Sequence, residues 1–178
     1  MKVRVEYKMK PNGVLPISMG WLGALQKIKI TGGPFDAFED FGDDRREKVF
    51  GVCVRAERAP QNADICLPIR DFQVPTPQQL PAVREALQAA LSAALDGKDV
   101  YVGCMGGWGR TGLFLALLAK VAGAEDPVQF VRENYSMRAV ETVEQHQYVK
   151  AFDARELNVR FVRACWFKRA LNTMFWWL

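Results

Sequence analysis

The chain carries a single histidine, His146, and no Cys-x-x-Cys pair. It therefore offers no clustered Cys/His ligand set for zinc, and no metal or cofactor is expected. The four cysteines, Cys53, Cys66, Cys104 and Cys165, are scattered along 178 residues. That dispersal argues against a disulfide scaffold and for a reduced, cytoplasmic setting. No run reaches the roughly 18 apolar residues that a membrane-spanning helix needs. The nearest approach is Val14 to Leu25, preceded by Lys2, Arg4, Lys8 and Lys10. Pro16, Ser18 and Gly20 interrupt it and no clear small-residue cleavage site follows, so a secretory signal is not expected. Internal repeats and low-complexity linkers are missing as well. The charge balance has little bias: 24 Lys+Arg against 20 Asp+Glu gives +4, which favours anionic substrates or surfaces but is too small to argue for nucleic acid.

What remains is an ordinary globular composition, 49% hydrophobic and 25% charged, in a length that suits one substantial core. Val3 to Tyr7 alternates as an edge strand does. Lys27 to Thr31, Val49 to Val54, Ala63 to Ile69 and Val100 to Val102 read as further short strands. Gly32-Gly33-Pro34 reads as a turn, and Glu39 to Asp44 as a turn or short exposed helix. Helical spacing of Leu80, Val83, Leu87, Leu91 and Leu95 predicts a helix over Gln78 to Leu95, stopped by Gly97. Asp126-Pro127 has the form of an N-cap and first turn, leading into a helix to about Asn134. Strands alternating with helices predict an α/β fold, a central mostly parallel sheet flanked by helices. Ligand sites in such sheets lie outside the carboxyl ends of the strands.

One such end stands out. Val100 to Gly112 reads VYVGCMGGWGRTG: a strand, a cysteine, a glycine-rich turn, and an arginine and threonine opening an apolar helix to about Ala122. Five residues separate Cys104 from Arg110, and three of them, Gly106, Gly107 and Gly109, are glycine. Glycines let the backbone curl so that successive N–H groups point inward as an anion nest. The helix adds the positive end of its dipole to the same place. A thiol there loses its proton easily, and a guanidinium at the rim grips two oxygens of an oxyanion. A Walker-type nucleotide loop is disfavoured, because no Gly-Lys-Ser/Thr follows the glycines. The bland alternative is a strand–turn–helix corner with a buried cysteine.

These residues resemble the signature loop of cysteine-based protein tyrosine and dual-specificity phosphatases, HCxxGxxR followed by Ser or Thr. Cys104, Gly107, Arg110 and Thr111 fall on the matching positions; Gly103 stands where the family has histidine. Two further segments match in order. Leu67 to Pro75, LPIRDFQVP, looks like the general-acid segment, with Asp71 as the acid. Ala139 to Val149, AVETVEQHQYV, looks like the segment supplying a water-orienting glutamine, Gln145. The resemblance covers roughly residues 45 to 152.

It implies metal-independent phosphomonoester hydrolysis through a cysteinyl-phosphate. Cys104 is the nucleophile. Arg110 and the N–H groups from Met105 through Gly106, Gly107, Trp108 and Gly109 hold the phosphoryl oxygens. Asp71 protonates the leaving group, Thr111 hydrogen-bonds the sulfur, and Gln145 places the water. Alternatives stand beside several of these. Asp71 could be a turn aspartate, with Asp64 a weaker competitor for the acid role. Thr142-x-x-Gln145 could be a capping box. Arg138 could bind substrate or form a surface ion pair. Cys53 and Cys66 read as buried packing residues, with a resolving role toward oxidised Cys104 open. The whole chain could also be a phosphate-recognition module, a pseudophosphatase with little or no turnover.

The expected substrate is a phosphorylated protein, with a phosphoinositide or an RNA 5′-phosphate also open. Residues 1–155 are expected to form the phosphatase-like domain. Residues 156–178, with Trp166, Phe167, Phe175, Trp176 and Trp177 near Arg163, Lys168 and Arg169, form an aromatic and basic tail. It either packs on the domain or contacts a membrane surface or partner.

Overall fold

Five strands form one sheet in the order β1-β2-β5-β3-β4 in the computed structural model, which describes residues 16–20, 27–58, 60–160 and 163. The strands are β1 (Pro16–Gly20), β2 (Lys27–Pro34), β3 (Val49–Arg55), β4 (Ile65–Ile69) and β5 (Asp99–Cys104). β1 pairs antiparallel with β2; the β2–β5, β5–β3 and β3–β4 pairs are parallel. β5 is central and buried over Val100–Cys104, the near-continuous apolar run that a strand covered on both faces requires.

The two faces carry unequal layers. Val52 and Val54 of β3 and Val100, Val102 and Cys104 of β5 point to one side. There they meet α3 (Leu80–Leu95), α4 (Gly109–Val121), α5 (Pro127–Asn134) and α6 (Val143–Ala151). Val49, Cys53 and Tyr101, on the alternate positions, face Phe35 and Phe38 beside two short helices, α1 (Asp36–Glu39) and α2 (Asp43–Arg46). α4 is buried on almost every side, as an apolar helix in the middle of a layer must be. α5 begins as expected: the Asp126 carboxylate accepts the Gln129 N–H at 2.9 Å, with Pro127 behind it.

Two expectations need correction. Gly32, Gly33 and Pro34 are not a turn; they continue β2 alongside Val102, Gly103 and Cys104. Cys66 is exposed, because the edge strand β4 turns Leu67 and Ile69 inward and the intervening side chains out. The strand expected at Val3 to Tyr7 and nearly all of the aromatic tail lie outside the described residues. Among the described residues, no helix is long and apolar enough to cross a membrane.

Candidate active site

Cys104 ends β5 and Gly109 opens α4, so the loop between them spans the carboxyl edge of the sheet and a helix N-terminus. The loop is cinched at its base. Thr111 Oγ accepts the Cys104 N–H at 2.9 Å, and the Gly107 N–H points to Cys104 Sγ at 3.2 Å. Thr111 thus holds the cysteine backbone, a contact different from the sulfur bond expected of it. Gly107 has φ +78° and lies so close to β2 that an added Cβ would sit 2.6 Å from the Gly33 carbonyl carbon. Its glycine identity is required by conformation and by space together. Cys104 is 3% exposed, whereas Met105, Gly106 and Trp108 face solvent.

The usual histidine is not merely missing; its place is filled. A Cβ on Gly103 would lie 2.8 Å from Phe35 Cα and 2.9 Å from Phe35 N. The Phe35 N–H donates to the Cys104 carbonyl at 2.7 Å, so the end of β2 is laced directly onto the loop. Tyr135, buried at the end of α5, donates its hydroxyl to the Gly107 carbonyl.

Arg110 is 2% exposed and reaches back across the site. Nη1 bonds the Glu57 carboxylate at 2.6 and 2.7 Å and the Ile69 carbonyl at 3.0 Å; Nη2 meets Asp71 Oδ1 at 2.9 Å. Nε is buried and has no partner among the described residues. A buried guanidinium N–H of this kind is costly unless an acceptor comes to it, and an oxyanion in the loop is such an acceptor. The Arg110 hydrogen bond holds the Glu57 carboxyl below its ordinary range. A depressed folded-state value means that ionised Glu57 stabilises the fold above the normal carboxylate pKa, and the contribution is lost as pH falls through the lowered value. Glu57→Gln is expected to flatten the loss of stability as pH falls from the ordinary carboxylate range downward, read by urea denaturation across that range. An unchanged slope would remove the pair from the acid response.

Asp71 follows β4 on a turn closed by Gln73 N–H to the Arg70 carbonyl, and its carboxylate is more than half exposed. The next residue, Phe72, holds φ +57° and donates its N–H to Asp71 Oδ1, so the turn is strained as well as open. Asp64 is elsewhere: its carboxylate accepts the Gly51 N–H at 2.7 Å and serves the β3 edge. Gln145 is fully buried and does form the capping box. Its Oε1 accepts from Glu141 N at 2.9 Å and Thr142 N at 3.4 Å, and its N–H reaches Thr142 Oγ. The same amide extends Nε2 to the Gln73 carbonyl at 3.3 Å, tying α6 to the Asp71 turn. Nε2 also borders the first turn of α4, 3.4 Å from where a Gly109 Cβ would be.

Arg138 forms no ion pair among the described contacts; its guanidinium lies 3.6 Å over the Trp108 ring. Cys53 pairs in register with Gly103 and packs with Phe35, Phe38 and Tyr101, while Cys104 faces the helical layer. The sheet stands between the two sulfurs, which removes Cys53 as a resolving thiol. Burial pushes the Cys53 thiol up to about 11, consistent with an inert packing residue. Sequence reasoning missed Glu57, Tyr135 and Arg55. Arg55 is buried between Asp36 and Glu39, with Met105 Sδ 3.9 Å from its Nη1. Among the described residues, no group of three or more His, Cys, Asp or Glu is placed to hold a metal ion.

The chain is 37% identical over 91 residues to an uncharacterized protein of Methanocaldococcus jannaschii, covering 51% of this chain and 60% of that one. It thus spans less than two thirds of that relative's length. The crystal structure of Tk-PTP in its active form superposes with a TM-score of 0.50 at 25% identity, over 74% of this chain and 91% of that one. Kinase associated phosphatase superposes with a TM-score of 0.58 at 18% identity, over 80% and 94%, which is a likeness of fold. Residues 53–156, a span running from β3 past the end of α6, match the family model described as Swiss Army Knife protein, DSP-PTPase phosphatase domain. With the Cys-x5-Arg loop at the sheet edge and most of the chain inside that match, the protein belongs to the dual-specificity and protein tyrosine phosphatase family.

Proposed function

We propose that the chain hydrolyses phosphomonoesters in two steps through a cysteinyl-phosphate. The observation that carries this reading is a buried Cys104 Sγ, receiving the Gly107 N–H, on the same short loop as a buried Arg110 whose Nε has no partner among the described residues. The phosphoryl oxygens take the loop N–H groups and the guanidinium, and the Cys104 thiolate attacks phosphorus in line. The S–P bond forms as the P–O bond breaks, and the leaving oxygen takes a proton from Asp71. A water positioned at the Gln145 amide then attacks phosphorus, returns a proton to Asp71 and releases Cys104 with inorganic phosphate. An incoming phosphate competes with Asp71 for Arg110 Nη2, which frees the carboxyl to face the leaving group. Thr111 keeps the cysteine backbone in place throughout.

A phosphorylated protein is the substrate we favour. Phe72, Met105, Trp108 and Met137 are all exposed, on the Asp71 turn, the phosphate loop and the α5–α6 connection. Such an apolar rim suits side chains flanking a phosphoresidue. A panel of phosphopeptides, phosphoinositides and RNA 5′-phosphates ranks the three classes. For the chemistry itself, turnover of p-nitrophenyl phosphate in EDTA, with acid-quench trapping of phosphate on Cys104, is expected. A purified protein with neither is a phosphate-recognition module. Asp71→Asn is expected to lower kcat by about 10²-fold on an alkyl phosphate and far less on p-nitrophenyl phosphate, whose leaving group needs no proton. Equal effects on both would remove Asp71 as the acid.

A further inference from the structure

Gly103 stands where the phosphatases that this loop resembles have a histidine. Here residue 103 has no room for a side chain. Something else must fix the loop peptides, because a glycine-rich turn has many alternatives close in energy. The Gly107–Trp108 peptide is the one at risk. It is trans, so its C=O and N–H point in opposite directions. With the Gly107 carbonyl held on the buried Tyr135 hydroxyl, the N–H across the peptide points the opposite way; with the peptide flipped, a carbonyl oxygen would take the place of that N–H.

We infer that Tyr135 is the positioning residue that locks this peptide, and with it the whole loop, in the anion-receptive orientation. This rests on the hydrolase reading above, since it concerns the same loop. Tyr135 is 2% exposed and its hydroxyl donates to the Gly107 carbonyl. The adjoining peptide is fixed by the Gly107 N–H to Cys104 Sγ at 3.2 Å, so both sides of Gly107 are held. The ring is itself closely packed. Its Cε2 lies 3.0 Å from where a Gly32 Cβ would be, in a notch shared with Thr111 Cγ2 and Leu115 Cδ1. β2, α4 and α5 therefore converge on one phenol. Burial, reinforced by the Cys104 charge, raises the Tyr135 pKa far above the ordinary phenol value, so the hydroxyl remains a donor throughout the working pH range.

The test compares Tyr135→Phe with Asp126→Ala, which removes the N-cap at the other end of α5 and touches nothing in the loop. Tungstate binding by calorimetry serves as the main readout, at a temperature where both variants show wild-type far-UV circular dichroism. Tyr135→Phe is expected to weaken tungstate by about tenfold or more, the lower side of what losing one oxyanion donor does. For p-nitrophenyl phosphate it is expected to lower kcat more than it raises KM, because the misplaced N–H serves the transition state most. Asp126→Ala is expected to lower the melting temperature and leave tungstate affinity unchanged. Wild-type tungstate affinity in Tyr135→Phe overturns the inference. So do equal losses in the two variants, or a Tyr135→Phe protein that is unfolded at every temperature. Wild-type protein that binds tungstate without hydrolysing ester would sink the hydrolase reading alone and leave the comparison readable.

Discussion

Cys104→Ser is expected to remove more than about 10⁴-fold of phosphomonoester turnover while leaving tungstate affinity close to wild type. The two halves follow from different atoms. Turnover needs an anionic nucleophile at neutral pH, and a serine hydroxyl must be deprotonated by a neighbouring base to act as one. No such base is hydrogen-bonded to Cys104 Sγ among the described contacts; the sulfur receives the Gly107 N–H. His146, the sole histidine, is exposed on α6, and the nearby carboxylates of Glu57 and Asp71 are engaged by Arg110. On the proposed reading, binding depends instead on the Arg110 guanidinium, the loop N–H groups and the start of α4. Thr111 holds these through the backbone N–H of residue 104, not through the sulfur. A serine at 104 preserves that bond. Turnover by Cys104→Ser near the wild-type rate would mean that another group is the nucleophile. Loss of tungstate binding along with turnover would mean that the sulfur, rather than the backbone, organises the nest.

How much of this could be read from the chain depends on the range of each interaction. The β5–loop–α4 unit is legible because its signals are local: a short apolar run gives way to glycine and then to a helical apolar run, the switch falling within thirteen residues. Asp71 at the end of β4 and the Thr142–Gln145 box are legible for the same reason, although the box and the proximity to α4 prove to be properties of one side chain. Gly32 to Pro34 misled because glycine and proline are turn residues in isolation. Among the described residues β1 pairs as far as Thr31, and Gly32 to Pro34 continue β2 in register with Val102 to Cys104 of β5. Cys66 misled because alternation does not say which strand is at the edge. Glu57 and Tyr135 were invisible for a simpler reason. They reach Arg110 and Gly107 across 53 and 28 residues, and no spacing rule connects positions that only the tertiary fold brings together.

Restoring the family histidine is expected to damage this protein. In Gly103→His the clash begins at Cβ, before the imidazole is considered: 2.8 Å to Phe35 Cα, 2.9 Å to Phe35 N and 3.0 Å to the Gly33 carbonyl oxygen. All three neighbours are backbone atoms, one in β2 and two in the residue that follows its end, so no side-chain rotation relieves them. The end of β2 must move away, which breaks the Phe35 N–H bond to the Cys104 carbonyl and uncovers Phe35, now fully buried. Overpacking of this kind costs about 1–3 kcal/mol or more, a melting-temperature loss of several degrees in a chain of this size. Gly103→Ala, which adds only the Cβ, is expected to carry a substantial part of the same loss. Activity should fall with stability, because Gly33 and Pro34 also wall the loop at Gly107. Thermal denaturation alongside kcat/KM for p-nitrophenyl phosphate reads both. A Gly103→His protein with wild-type melting and higher kcat would show that the loop waits for its histidine. The expected opposite shows that backbone packing from β2 has taken over the position, leaving Tyr135 to hold the loop from the other side.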